Sequence, residues 1–403
     1  MSRVAPAAGV GFSRFLDADP ARLHMAAHSH HPWPDASFAG QVQAWEDAAR
    51  LMDHKWEHVF GVVLPEMQAW VARRLSLPAP ATVAVAPNTH ELFLRILSCL
   101  DPPVRILTTD GEFTSFERQI RRLAEDGLVR IERVGVTPLH SLEERLVAAA
   151  SRGGHDLVYF SHVLFGSGSV IGDPAAIVAA VPDDGTFVVI DGYHGFMAVP
   201  TDLSAIADRA FYLAGGYKYA MAGEGVCFAH CPADYGPRPR DTGWFADFST
   251  LEEGPDRPVD YGPAGQRFLG ATFDPTALYR FNAVQGWLTA AGWTVEAIHD
   301  HVVALQRRLV TGLADVAGSP LHVADLVAGP DDDRHGHLLA FEHPRASAVA
   351  TALARRDVVV DHRATRVRLG LGIYHDADAI DRLLERLTDL RVPGTGHEGD
   401  ARC

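Results

Sequence analysis

Between residues 82 and 230 the chain alternates short apolar runs with amphipathic ones, and this rhythm constrains the fold more than any other feature. Apolar, β-rich runs fall at 82–86, 105–109, 129–136, 156–162, 186–190, 209–214 and 226–230. Helical patterns fill most of the gaps, at 91–100, 115–126, 141–151, 174–180 and 203–208. Unbroken apolar runs suit strands buried on both faces, and a helix between two strands lets the second run parallel to the first. The expected fold is therefore α/β, with a central, seven-stranded, mostly parallel sheet and a smaller C-terminal α+β domain. Ligands of such sheets sit at the carboxyl ends of the strands.

A chain of 403 residues exceeds one small core, and the pattern divides it. Residues 1–59 are read as an N-terminal segment and a long amphipathic helix over 35–58, with Trp45 and Trp56 among its apolar positions. Residues 60–275 form the large domain and 276–391 the small one, which opens with a helical stretch over 276–313. Residues 392–403, rich in Gly and charge, are read as a flexible tail. The net charge of -15 disfavours nucleic acid and anionic membranes as partners. No apolar run reaches the ~18 residues of a membrane span, and the N-terminus lacks the apolar core of a signal peptide. Four cysteines (Cys99, Cys227, Cys231 and Cys403) are too few for a disulfide framework in so long a chain, so a reducing cytoplasm is the expected compartment.

Two runs carry the chemistry. Thr186-Phe-Val-Val-Ile-Asp-Gly-Tyr-His194 delivers Asp191 and His194 at the end of one strand. Leu213-Ala-Gly-Gly-Tyr-Lys-Tyr219 delivers Lys218 after the next, 27 positions beyond Asp191. This layout suits pyridoxal phosphate (PLP): the lysine forms a Schiff base, and the carboxylate keeps the pyridine nitrogen protonated so that the ring accepts electrons. The alternative is a buried Asp capping a turn and an unrelated surface Lys.

Four further motifs surround this pair. Pro87-Asn-Thr-His90 precedes a helix, with Thr89 placed to cap it and the first turn placed to hold a phosphate. In Glu112-Phe-Thr-Ser-Phe116, Phe113 can stack on a cofactor ring or simply pack in the core. In Ser161-His-Val163, either Ser161 or His162 can bond the edge of a cofactor. Arg366 and Arg368 flank Val367 on a strand. They are expected on opposite faces, the inward one clamping a substrate carboxylate. A separate reading joins His28, His30 and His31 to the acidic, His-bearing run 331–337 as a metal site.

With these residues assembled, the chain resembles the kynureninase branch of the fold-type I, class V aminotransferase-like PLP enzymes. The family's Asp-Leu-Ala-His is matched by Asp191-Gly-Tyr-His194. Its Thr-Tyr-Lys-Tyr-Leu-Asn-Gly-Gly-Pro-Gly is similar to Gly216-Tyr-Lys-Tyr-Ala-Met-Ala-Gly-Glu-Gly225. Its Ser-His-Val, Gly-Trp-Phe-Gly and Phe-Leu-Cys-Gly-Thr are echoed by Ser161-His-Val163, Gly243-Trp-Phe-Ala246 and Phe268-Leu-Gly-Ala-Thr272. The resemblance implies that Lys218, Asp191 and His194 are catalytic and that Phe113 stacks on the ring. It implies that Thr89, His90, Tyr217 and Trp244 hold the cofactor, together with Ser161 and with Thr272 from a second subunit. Arg368 would bind the substrate's α-carboxylate, and the active unit would be a homodimer with a shared active site. The implied reaction is hydrolysis of the Cβ–Cγ bond of an amino acid with a γ-carbonyl, giving alanine and a carboxylic acid. A class V aminotransferase and a β-elimination lyase are the alternatives; a desulfurase would need a nucleophilic Cys on a mobile loop. The chain departs from the family at Phe116, which replaces an Asp. It departs again at His28-Ser-His-His31, which replaces Asn-Ser-Leu-Gly and makes Ser29 and His30 candidate substrate contacts.

Overall fold

The computed structural model describes residues 10–233, 235–249, 257–330 and 334–392. The strands, in chain order, are β1 (Leu23–His24), β2 (Val83–Ala86), β3 (Val104–Thr109), β4 (Val129–Val134), β5 (Leu157–Ser161), β6 (Phe187–Asp191), β7 (Ala210–Gly215), β8 (Cys227–His230), β9 (Leu338–Glu342), β10 (Val358–Val359), β11 (Asp361–Arg363) and β12 (Arg366–Gly370). β2 to β8 form one seven-stranded sheet in the order β2-β8-β7-β6-β5-β3-β4. β8 runs against both its neighbours, and the other pairs are parallel. Each expected strand of the sheet is present, with ends moved by one or two residues.

The central strands are buried on both faces, as a parallel sheet under two layers of helices requires. Val188, Val189 and Ile190 of β6 are fully enclosed. Each such side chain contributes roughly 1.5–3 kcal/mol by leaving water. These β-branched residues hold the strand straight up to Asp191, whose side chain emerges at its carboxyl end.

Four of the five helices expected between strands are found, including Thr89–Leu97, Thr114–Glu125, Leu142–Ala150 and Pro174–Ala180. The fifth, 203–208, is a set of turns instead. Leu203 N is tied to Leu75 O at 2.9 Å, and Ile206 N closes a turn on Leu203 O at 2.9 Å. β7 begins at Ala210, which leaves no room for a second helical turn. The helix expected over 35–58 breaks after Asp35–Leu51, because Met52 takes a positive φ of 50°. Trp45, expected at an apolar position of that helix, is 78 % exposed. The stretch 276–313 is two helices, Thr276–Ala290 and Val295–Leu313, parted at Gly292 with φ +80°.

Two hydrophobic cores result. The large one surrounds the seven-stranded sheet and takes in Leu278, Phe281 and Leu288 of the Thr276–Ala290 helix. Packing therefore does not divide at residue 275. The smaller core gathers Val302 and Leu309 with Phe341 and Leu369 of a three-stranded sheet, β11-β12-β9, and with Leu23 and Met25 from the N-terminal segment. That segment runs beside β10 and β12: β1 pairs with β10, and Gly370 N bonds Met25 O at 2.8 Å. Residues 393–403 of the expected tail lie outside the described residues. Among the described residues no helix is long and apolar enough to cross a membrane.

Candidate active site

A cleft of about 1110 Å³ opens at the carboxyl ends of the parallel strands, and its lining includes Asp191, His194, Tyr217 and Lys218. β6 and β7 are adjacent and parallel, with Asp191 opposite Leu213, so the turns that follow them open at one edge. Lys218 Nζ lies 2.5 Å from His194 Nε2. It also stands 4.9 Å from the centre of the Tyr193 ring and 5.5 Å from that of Phe113. Burial drives the lysine amine down to about 7, with the Asp191 carboxylate opposing the shift. At neutral pH much of it is the free amine, the nucleophilic form. Burial, and then the neighbouring Lys218, holds His194 well below the ordinary histidine range, so its ring is neutral.

Asp191 is fixed from two sides. Its Oδ1 accepts the Tyr193 amide at 2.9 Å, and its Oδ2 accepts the Tyr159 hydroxyl at 2.9 Å. Burial raises its pKa and these two donors lower it, leaving a net rise. A cationic ring nitrogen beside it would restore the anion. Phe116, the residue that departs from the family's Asp, stays out of the cleft. It stacks on Tyr159 at 3.7 Å between centroids and so supports Asp191 from behind.

Thr89, His90, Phe113 and Ser161 also line the cleft. The capping residue is Asn88 rather than Thr89: the Asn88 side chain accepts the Glu91 amide at 2.9 Å, and Asn88 is the last residue with an extended backbone. Thr89 becomes the first residue of the helix. Ser161 is turned to a partner that sequence reasoning did not assign: its hydroxyl donates to Glu112 Oε2 at 2.5 Å. Thr109 donates to the other oxygen of Glu112, also at 2.5 Å. Burial pushes this carboxyl up to about 7. Only the strand alignment reveals the contact, since Glu112 follows β3 and Ser161 ends β5. His162 is buried on the other side of the strand, against Tyr212 at 6.3 Å between centroids, and does not line the cleft.

Trp244 and Thr272 lie apart from Lys218. Trp244 is 45 % exposed on a short 3₁₀ turn, and its Nε1 donates to Thr272 Oγ1 at 3.3 Å. Thr272 lines a separate depression of about 280 Å³ with Glu91 and Arg95. Within one chain, then, neither residue reaches the Lys218 cleft.

Arg366 and Arg368 share one face of β12, contrary to expectation, as residues two apart on a strand must. Arg366 bonds Gly166 O at 3.1 Å, and Arg368 bonds Phe165 O at 2.6 Å. Arg368 is 4 % exposed and already paired with Asp361. Phe165 stands between Arg368 and the cleft: Arg368 Cζ lies 5.7 Å from its ring, and the ring lines the cleft edge-on to Phe113 at 5.6 Å.

Of the N-terminal candidates, His30 is exposed, with its ring 6.0 Å from that of Tyr217, and Ser29 bonds His30. His28, which the sequence suggested only as part of a metal site, is 1 % exposed, 6.4 Å from the His194 ring and 3.5 Å from Asp361. Among the described residues no group of three or more His, Cys, Asp or Glu could hold a metal ion; residues 331–333 lie outside them. Of the cysteines, Cys227 and Cys231 are buried and Cys99 is half-buried. Burial pushes the Cys227 thiol up to about 12, away from a nucleophilic role.

Residues 48–383 match the family model described as aminotransferase class V. The chain belongs to the class V aminotransferase family, and it is a PLP-dependent enzyme of fold type I. It is 31 % identical over 244 residues to an isopenicillin N epimerase from Amycolatopsis lactamdurans, covering 57 % of this chain and 59 % of that one. It is 28 % identical over 286 residues to a kynureninase from Pseudomonas fluorescens, covering 68 % of this chain and 64 % of that one. The alignments thus span less than two thirds of either relative. Among solved structures, a cystine C–S lyase bound to its product cysteine persulfide superposes with a TM-score of 0.76 at 18 % identity, covering 92 % of this chain and 98 % of the lyase. A cysteine desulfurase from Thermococcus onnurineus NA1 superposes at 0.73 with 16 % identity, covering 95 % and 97 %. At such identities these structures share the fold.

The class V cleft fits its cofactor. One opening exposes the Lys218 amine, the Asp191 carboxylate and the Phe113 ring, and the buried Nδ1 of His194 there has no hydrogen-bond partner.

Proposed function

We propose that the protein is a kynureninase-like hydrolase that cleaves the Cβ–Cγ bond of an amino acid carrying a γ-carbonyl, releasing alanine and a carboxylic acid. The observation that carries the reading is the Lys218–His194 pair, a depressed lysine amine 2.5 Å from a neutral imidazole, facing Asp191 across one cleft. Bound PLP supplies an electron sink for the charge left at Cα.

The chain's own residues do the rest. Lys218 would hold the cofactor, and its Nζ would take the Cα proton of the substrate. His194 Nε2, bonded to that amine at 2.5 Å, accepts its hydrogen bond and keeps it oriented. Asp191 keeps the pyridine nitrogen protonated, and Tyr159 and Tyr193 hold the carboxylate in place. Phe113 would hold the cofactor's ring, and Thr89, His90 and Tyr217 its phosphate; all four line the cleft. Arg368 takes the substrate's α-carboxylate. The active unit is a homodimer, in which Trp244 and Thr272 of each chain complete the partner's phosphate site.

A second reading, inversion at Cα, is favoured by the 31 % identity to an isopenicillin N epimerase. One experiment separates the two: holoenzyme is mixed with kynurenine and 3-hydroxykynurenine in deuterated water, and products are followed by NMR. Alanine and an aromatic acid support the hydrolase. Loss of optical activity with deuterium at Cα and no alanine would replace it by the epimerase reading. The base of both readings is tested by Lys218→Ala, which should abolish the visible absorbance band of the cofactor-loaded protein.

A further inference from the structure

Arg368 is not a free guanidinium awaiting an anion. Asp361 on β11 is its direct cross-strand partner on β12, and the two side chains form an ion pair. Arg368 also donates to Phe165 O at 2.6 Å, while its Nε is buried with no hydrogen-bond partner. Two directions of the guanidinium are therefore satisfied and one is not. His28 Nε2 stands 3.5 Å from the same Asp361 oxygen. Burial pushes this imidazole down to about 4, so at neutral pH it offers Asp361 a dipole and no charge. Arg368 and Asp361 thus neutralise each other.

We propose that Asp361 is a resident carboxylate that holds the place of the substrate's own, and that its displacement decides which amino compounds the site accepts. The inference rests on the reading of Arg368 as the anchor of the α-carboxylate. A second anion reaching Arg368 meets a guanidinium whose charge is already matched, and it must repel Asp361 or move it. Movement is available. Asp361 is only partly buried, and it opens the three-residue edge strand β11. Once Asp361 moves, the unpartnered Nε gives the incoming carboxylate a donor that Asp361 leaves unused. The consequence is selectivity. An amine without a carboxylate needs no exchange, whereas an α-amino acid binds only if the rest of the molecule contributes enough to displace Asp361.

The test compares paired ligands on the holoenzyme: kynurenine with its decarboxylated amine, and alanine with ethylamine. Dissociation constants are read from the absorbance of the bound cofactor. In Asp361→Asn, Arg368 loses its counter-charge, and the preference for amino acid over amine should rise by about tenfold or more. An unchanged preference, or one shifted toward the amine, overturns the proposal. Arg368→Gln tells the two readings apart. If it leaves the wild-type preference intact, Arg368 is not the carboxylate anchor and both fall. If it abolishes the preference while Asp361→Asn does not raise it, only the resident-carboxylate proposal fails. Asp361→Ser is the second variant. If neither it nor Asp361→Asn folds, Asp361 is a fixed structural counter-ion and the proposal is overturned.

Discussion

Lys218 shows how burial converts an ordinary lysine into a reactive one. Its pKa falls from the usual lysine value to about 7, because desolvation outweighs the attraction of Asp191. Only the neutral amine attacks an aldehyde. Apo protein mixed with PLP should therefore load slowly below neutrality, with the rate falling about tenfold per pH unit there, and reach a plateau above pH 7. A stopped-flow absorbance series across the neutral range measures this directly. A rate that keeps climbing into the ordinary lysine range would mean that the burial effect is absent. The position of Lys218 and Asp191 at one edge of the sheet was legible in the sequence, because Asp191 ends one short apolar strand and Lys218 follows the next. The partners of Ser161 and Arg368 were not. Glu112 meets Ser161 through the alignment of β3 with β5, and Asp361 meets Arg368 through the antiparallel register of β11 with β12.

At the scale of the element, regular strands and helices followed from residue pattern, and their ends followed from single residues. Asn88 rather than Thr89 caps the helix beside the cleft, because its side chain reaches the Glu91 amide. Met52 and the Gly292 turn cut two long helical patterns short. Gly370 matters most for the site. A Cβ there would fall 2.7 Å from the backbone nitrogen of His28 as well as against its ring. The N-terminal segment can lie beside β12 only because that position has no side chain. Gly370→Ala should destabilise the protein by roughly 1–3 kcal/mol, as overpacking does. It should also release the segment that carries His28. Thermal melting and limited proteolysis check both effects. Melting at the wild-type temperature, with no new cleavage around residues 23–31, would show that the strand absorbs the methyl without cost.

At the scale of the molecule, several exposed apolar side chains and two candidate cofactor residues lie away from the Lys218 cleft. Trp244, Phe248 and Val259 expose apolar side chains on one stretch of chain, and Trp45 and Met52 do so on or just after the Asp35–Leu51 helix. Trp244 and Thr272 do not line the Lys218 cleft of their own chain. If each serves the partner's, Trp244→Ala and Lys218→Ala proteins should each be inactive, yet recover activity on mixing. One of the two clefts in a mixed dimer then holds both native residues. Recovery approaching a quarter of the wild-type activity is the statistical expectation for random exchange of two equal pools, half of the dimers being mixed and each having about one intact site. No recovery, with subunit exchange confirmed by mass, would place Trp244 outside the shared site.

By itself the sequence determined the α/β architecture, the seven strands of the sheet, and the placing of Asp191, His194 and Lys218 at their carboxyl ends. Those features depend on local periodicity and on residues close together in the chain, which a linear pattern records. Tertiary structure alone decided what surrounds them. His28 reaches Asp361 and Arg368 across more than three hundred residues, because the N-terminal segment lies along β12. The same packing turned the presumed carboxylate anchor into half of an ion pair. Such contacts depend on strand register and on which segment covers which edge, and no local pattern in the chain encodes them.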